Sequence, residues 1–171
     1  MAKMKKAIII LGSSNSNGET SKMIKFVCDK TNYPIVDLKS KNIGEFDYEF
    51  KNSNDDFLPL MEEIVTNFEL IIFATPVYWY AMSGILKTFF DRFSDCLETR
   101  KDLGKKLKGM EMAVISSGSD KELKNGFHMP FIETANYLGM KYIADVHCWI
   151  ENGNIPNEVK LKLTNFTKQI Q

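Results

Sequence analysis

Short, β-branched apolar runs separated by amphipathic helical stretches constrain this chain more than any other feature. Ala7–Leu11 reads Ala-Ile-Ile-Ile-Leu, with no polar residue and no alternation. Glu69–Ala74 and Met112–Ile115 behave similarly, and Ile35–Leu38 and Tyr142–Val146 are weaker versions. A strand covered on one face alternates apolar and polar residues, whereas a strand covered on both faces does not. The five runs therefore predict a parallel sheet buried on both sides. Between them, apolar residues recur at helical spacing: Met23, Ile24, Val27 and Cys28, then Phe57, Leu60, Met61, Ile64 and Val65. Ile85, Leu86, Phe89, Phe90 and Phe93 follow, then Phe131, Ala135 and Leu138, and last Val159, Leu163, Phe166 and Ile170. Asp55 and Asp56 are placed to cap the second helix and Asn157 the last, while Gly139 stops the fourth. Strand then helix, five times over, predicts an α/β chain with right-handed crossovers.

The 171 residues suit one domain, 1–171, and 44% hydrophobic content supplies its core. The 22 basic and 22 acidic residues cancel, so no dominant basic stripe points to nucleic acid. Lys101, Lys105, Lys106 and Lys108 read as a solvated linker before the fourth strand. Lys3, Lys5 and Lys6 precede only five apolar residues, too few for a signal peptide or a membrane span. Cys28, Cys96 and Cys148 are odd in number and far apart, which predicts neither disulfides nor a metal site. Cys28 falls on an apolar helical face and reads as a small core residue. These features suit a reducing cytoplasm. Ser40–Asn54 is polar, with Phe46, Tyr48 and Phe50 interspersed, and reads as a surface loop.

In an open parallel sheet a ligand sits beyond the carboxyl ends of the strands, where strand order reverses. Three turns there are informative. After the first strand come Gly12, Ser13, Ser14, Asn15, Ser16, Asn17, Gly18, Glu19 and Thr20, leading into a helix. Backbone amides, hydroxyls and the helix's positive end make this a place for a phosphate. It lacks the Gly-Lys-Ser/Thr ending of a Walker loop and the Gly-x-Gly-x-x-Gly of a dinucleotide turn, and it reads equally as a polar turn with a helix cap. After the third strand come Thr75, Pro76, Val77, Tyr78, Trp79 and Tyr80, and then Ser83 and Gly84. Three successive aromatics at a strand end supply a flat wall for a planar ring, or else an aromatic interface. After the fourth strand, Ser116, Ser117, Gly118, Ser119 and Asp120 form a small polar turn that permits close approach to a ligand. Together the turns describe a ligand with a phosphate at one end and a flat heterocycle at the other. His128 and His147 read as structural, and no side chain reads as an acid–base catalyst.

Ile9–Thr20, Ala74–Phe93 and Ser116–Asp120 resemble the corresponding segments of the NADPH-dependent FMN reductase family of the flavodoxin-like superfamily. Thr-Pro-Val-Tyr-Trp followed by Ser-Gly and Lys-x-Phe-x-Asp-Arg is the most specific part. The resemblance implies a flavodoxin-like three-layer α/β/α sandwich with a five-stranded parallel sheet in the order 2-1-3-4-5. It implies Ser13, Ser14, Asn15, Ser16, Asn17 and Thr20 around an FMN phosphate. It places Pro76, Val77, Tyr78 and Trp79 along the isoalloxazine, with Ser117 and Gly118 at the ring's other edge. It implies NADPH or NADH as electron donor, and quinones, flavins or similar small molecules as acceptors. With no second nucleotide fingerprint and no length for a second domain, donor and acceptor are expected to use the same exposed flavin face in turn, which predicts ping-pong hydride transfer. The resemblance also implies a homodimer or tetramer with the helix of Lys87–Phe93 near the interface. The phosphate turn carries no Lys or Arg, unlike that of many relatives. Asn42–Phe57 carries no Cys, which excludes the cysteine cluster of iron–sulfur relatives. A flavodoxin-type electron carrier and a non-catalytic FMN-binding protein are the other functions this fold would serve.

Overall fold

The computed structural model describes residues 5–171; Lys3, one of the opening lysines, lies outside them. The described residues form five strands: β1 (Ala7–Leu11), β2 (Ile35–Asp37), β3 (Leu70–Pro76), β4 (Glu111–Ser117) and β5 (Lys141–Cys148). All pair in parallel in the order β2-β1-β3-β4-β5. The register sets Leu11 beside both Asp37 and Ala74, and Pro76 beside Ser117, so the carboxyl ends of β1, β3 and β4 form one rim. Strand order reverses between β1 and β3, as expected for this architecture.

Helices cover both faces. α1 (Glu19–Thr31) and α7 (Asn157–Ile170) pack on one side, where Met23, Val27, Leu163 and Phe166 meet Ile9, Ile72 and Ile115. The other side carries α2 (Phe57–Asn67), α3 (Gly84–Asp91), α4 (Phe93–Glu98), α5 (Lys101–Leu107) and α6 (Met129–Leu138). There Phe57, Phe73, Phe89, Phe90 and Phe93 pack edge to face, a geometry suited to ring quadrupoles. The apolar strand runs are buried on both faces, which is why they show no alternation.

Several local expectations change. Lys101–Lys108 is not a linker: Leu103 and Leu107 are fully buried, and their burial makes 101–107 the helix α5, with its lysines on the outer side. The expected third helix divides at Arg92 into α3 and α4. Neither Asp56 nor Asn157 caps a helix with its side chain. Asn157 is the first residue of α7 behind Pro156, and the Asp56 carboxylate instead accepts from the Asn42 amide at 2.7 Å. Asp55 does accept from the Phe57 amide, at 2.9 Å. Cys28 is half-buried, with its thiol 3.5 Å from the Tyr33 carbonyl, rather than a core residue. Burial pushes the Cys96 and Cys148 thiols up to about 12, which leaves them inert.

Residues 41–56 have no helix or strand, as expected of a loop, but they are anchored. Arg92 is 1% exposed and reaches into them. Its guanidinium donates to both carboxylate oxygens of Asp55, at 2.5 and 3.3 Å, and to the carbonyls of Gly44 and Asn52. It also pairs with Asp95 and lies over the Phe57 ring. The motif arginine thus holds the excursion to the helices and stays out of the rim.

Candidate functional site

Three turns on the rim are bonded to one another. In the first, Gly18 precedes α1 without a side-chain cap. The turn is shaped from within: the Asn15 amide donates to Ser13 Oγ at 3.2 Å, and the Asn17 amide to Asn15 Oδ1 at 3.1 Å. The amides of Ser14, Ser16, Glu19 and Thr20 find no acceptor among the described residues. Unsatisfied amides at a helix start, together with the axial dipole, attract an anion. Gly12 opens the turn because α3 leaves no room for a side chain there. A Cβ at Gly12 would stand 2.5 Å from Leu86 Cβ and 3.1 Å from Leu86 Cα.

The second turn is a tight hairpin. Tyr78 and Ala81 exchange backbone hydrogen bonds of 3.0 and 3.1 Å around Trp79 and Tyr80. Both central residues have positive φ, 48° and 66°. A two-residue loop of this kind favours Asn-Gly, and two aromatic residues there cost roughly 1–3 kcal/mol each. Trp79 is 93% exposed and Tyr80 62%. A strained turn that projects two aromatic rings into water points to a binding role.

Side chains join the turns. Ser14 Oγ and the Tyr78 hydroxyl are 2.9 Å apart. Buried Ser83 caps α3 by accepting from the Leu86 amide at 3.2 Å, and it donates to the Gly12 carbonyl at 2.6 Å. Thr20 Oγ1 and Ser117 Oγ, both buried, are 2.7 Å apart. Such a pair uses one of its two hydrogens, so the other remains for a ligand. The Val77 amide donates to the Ser117 carbonyl at 2.7 Å, joining the second turn to the third.

A cleft of about 210 Å³ opens between the second and third turns. Val77, Trp79 and Gly118 line it, as do Tyr80, Leu123, Phe127 and His147. Pro76, Tyr78 and Ser117 do not line it. Pro76 ends β3, Tyr78 reaches back to Ser14, and the Ser117 hydroxyl is turned to Thr20. His147, read from the sequence as structural, stands at the cleft. Its Nε2 is 2.8 Å from the Asp120 carbonyl, which can only accept, so the hydrogen sits on Nε2. Nδ1 then accepts from Ser116 Oγ at 2.9 Å. Burial, opposed by the Asp120 carbonyl, lowers its pKa below the ordinary histidine value. His147 therefore stands neutral and holds the third turn in place. The available signal was its position at the end of β5, one strand from Ser116. Leu123 and Phe127 gave no such signal, because the stretch from 119 to 128 has no period. His128 is elsewhere, 3.6 Å from Asp145. No group of three or more acidic, His or Cys residues able to hold a metal occurs among the described residues, and no helix among them is long and apolar enough to cross a membrane.

Residues 5–154 match the model of the NADPH-dependent FMN reductase family. This chain belongs to that family. It is an FMN-dependent oxidoreductase that uses a reduced nicotinamide nucleotide, and the flavodoxin-like fold expected from the sequence is the one observed. The family member is 31% identical over 130 residues to YwqN of Bacillus subtilis, described as an NAD(P)H-dependent FMN-containing oxidoreductase, which covers 74% of this chain and 67% of that one. Among solved structures, the reductase resembles the Trp repressor binding protein of Bacillus subtilis with a TM-score of 0.73 and 24% identity, over 97% and 98% of the two chains. It resembles general stress protein 14 of Treponema denticola, solved in complex with FMN, with a TM-score of 0.69 and 18% identity, over 97% and 99%. The residues present fit the cofactor's chemistry: free amides at a helix start suit a phosphate, and a cleft edged by exposed Trp79 and Tyr80, its wall otherwise shared with Ser119, Asp120, Glu122 and Lys124, suits a flat polar ring.

Proposed function

We propose that the three joined turns hold one FMN and that the protein passes electrons from a nicotinamide nucleotide through it to a small acceptor. In this reading the amides of the first turn and of α1 hold the phosphate, aided by Ser13, Ser14, Asn15, Ser16, Asn17 and Thr20. Val77 and Trp79 face the ring with Gly118 on its far edge, while Pro76, Tyr78 and Ser117 brace those walls from behind. The observation that carries the reading is the set of bonds Ser14–Tyr78, Ser83–Gly12 and Thr20–Ser117. They fix a phosphate-type turn and an aromatic cleft at one place on the rim. Neutral donors bind a phosphate without a lysine or arginine, because an oriented amide array carries partial positive charge.

FMN, when bound, accepts two electrons from the nicotinamide and gives them to the second substrate. The chain's part is to present one open side of the cleft, to exclude water from the other with Leu123 and Phe127, and to fix the third turn through His147. A single open side admits one substrate at a time, which supports ping-pong turnover with quinones, flavins or related planar acceptors. A cytoplasmic homodimer accords with this. Its supporting feature is a groove between α3–α4 and α6 that exposes Tyr137 beside Phe90, Phe93 and Leu97, and sedimentation tests the oligomeric state. The functional test is anaerobic mixing of FMN-loaded protein with NADPH or NADH. Rapid bleaching of the flavin absorbance, followed by its return when a quinone is added after the nucleotide is removed, is the expected result. A flavin that neither nucleotide bleaches would overturn the reading.

A further inference from the structure

His147 reaches the cleft only because the sheet is irregular beside it. After Met112 the β4–β5 register shifts by one residue, and Ser116 then stands opposite His147. An unshifted register would put Val146 there and send His147 to the other face. The imidazole spans the third turn from its start to its outer half. Nδ1 accepts from fully buried Ser116 at 2.9 Å, and Nε2–H donates to the Asp120 carbonyl at 2.8 Å. Cε1 lies 3.5 Å from where a Cβ on Gly118 would stand.

The inner half of the turn has other ties. The Gly118 amide donates to the Cys148 carbonyl at 3.1 Å, and the Val77 amide to the Ser117 carbonyl. Residues 119–123 make no backbone hydrogen bond to other described residues. Their polar ties are His147 at Asp120 and an exposed ion pair of Lys121 with Glu151 at 2.7 Å, and exposed pairs hold weakly. Yet Ser119, Asp120, Glu122 and Leu123 line the cleft. One imidazole therefore holds that wall.

The arrangement suits a neutral ring. A proton on Nδ1 would meet the Ser116 hydroxyl hydrogen, and that buried hydroxyl has no other partner among the described residues. Burial opposes the imidazolium most, and Lys162 of α7 and His128 at the start of α6 oppose it too, whereas Asp120 favours it. Asp145, two residues earlier on β5, accepts from the Tyr142 hydroxyl at 3.1 Å. Glu122 and Lys124, opposite in sign, also line the cleft. A flat ring seated there would cover the imidazole and take away the water that its charge requires.

We infer that His147 is a pH-sensing positioning residue: its protonation frees residues 119–123 from the cleft, so the flavin ring is gripped only while the imidazole is neutral. The inference rests on the reading that the ring occupies this cleft. Binding then expels a proton, and affinity falls as pH drops through the folded pKa of His147. Riboflavin is the probe, because it lacks the phosphate, whose second pKa of about 6 would add its own pH dependence. Its binding is followed by fluorescence between pH 7 and pH 4.5. The unaltered protein should bind it about tenfold more weakly at the acid end, which corresponds to a difference of about one pKa unit between free and bound protein. In His147→Gln, which keeps a donor for Asp120 but takes up no proton, the affinity should stay flat. In Ser116→Ala the opposing hydrogen is gone, and the His147 midpoint, read from its ring resonances without flavin, should move up toward 6.5. In the flavin-free protein the heteronuclear NOE of residues 119–123 should fall with that midpoint while that of Gly118 holds. A flat affinity in the unaltered protein, a fall that persists in His147→Gln, or a midpoint unmoved in Ser116→Ala would overturn the inference. Riboflavin that shifts neither the Gly118 nor the Leu123 amide at any pH would sink the parent reading as well, whereas pH-independent binding that shifts both would sink this inference alone.

Discussion

Replacing Arg92 by leucine removes a buried cation that is bonded to two buried carboxylates. Asp55 and Asp95 would remain, with side chains 8% and 3% exposed and their main partner gone. The carbonyls of Gly44 and Asn52 would lose their donors as well. Breaking one partner of such a cluster costs about 3–5 kcal/mol, a large fraction of the roughly 5–15 kcal/mol that holds a domain together. With a urea slope of about 2 kcal/mol per molar, the midpoint should fall by roughly 2 M at pH 7. The pH dependence is more telling. In the unaltered protein, burial raises the Asp55 pKa, but donation from Arg92 and from the Phe57 and Gly44 amides outweighs it and holds the carboxyl below its ordinary value. Asp55 therefore adds stability above about 3.8, the ordinary value, and that stability is lost as pH falls through the lower folded value. In Arg92→Leu the Asp55 carboxylate loses its cationic donor while staying buried, its pKa rises, and protonation relieves the cost. The gap between variant and parent should narrow from pH 7 to pH 5. Urea unfolding followed by circular dichroism at the two pH values reads both effects. A loss under about 1 kcal/mol at pH 7, or a gap that widens on acidification, would refute the argument. Arg92→Lys should recover part of the loss, since it restores the charge but not the fork that meets Asp55 and both carbonyls.

Gly12→Ala places a methyl group 2.5 Å from Leu86 Cβ, and α3 has to move away from the first turn. A stability loss of about 1–3 kcal/mol and weaker FMN binding should appear together, by urea unfolding and flavin fluorescence. Thr20→Val strands the buried Ser117 hydroxyl and should cost about 1–2 kcal/mol by the same unfolding assay. His147 has a folded pKa below its ordinary 6.5, so the unfolded chain takes up protons first as pH falls. Stability is full above 6.5, declines below it and levels off past the folded value. Thermal melts of His147→Asn across that window should lack this decline.

Much of the fold was legible because both-face burial leaves a continuous signal. Ala7–Leu11 and Leu70–Ala74 are apolar at every position, and only a central parallel strand needs that. The edge strand β5 was read too short, since Lys141 and His147 look toward solvent or the rim and break the run. α5 was missed because four lysines outweighed the two leucines that bury it. The first turn was legible as a candidate phosphate site because its chemistry is local, in amides, hydroxyls and a helix start. The cleft was only half legible. Val77, Trp79 and Gly118 lie within recognisable turns, but His147 reaches the site from β5 through sheet pairing, and spacing along the chain cannot express that contact. Arg92 carries the opposite lesson. It sits in the most specific motif of the chain, yet its partners are Asp55, Asp95 and two carbonyls of the excursion.

A crystal structure of the protein with FMN bound tests the account at its centre. The account predicts phosphate oxygens within hydrogen-bond distance of the Ser14, Ser16, Glu19 and Thr20 amides, and the isoalloxazine in the cleft between Val77–Trp79 and Gly118. Density for the phosphate away from the start of α1, or for the ring outside that cleft, would contradict it.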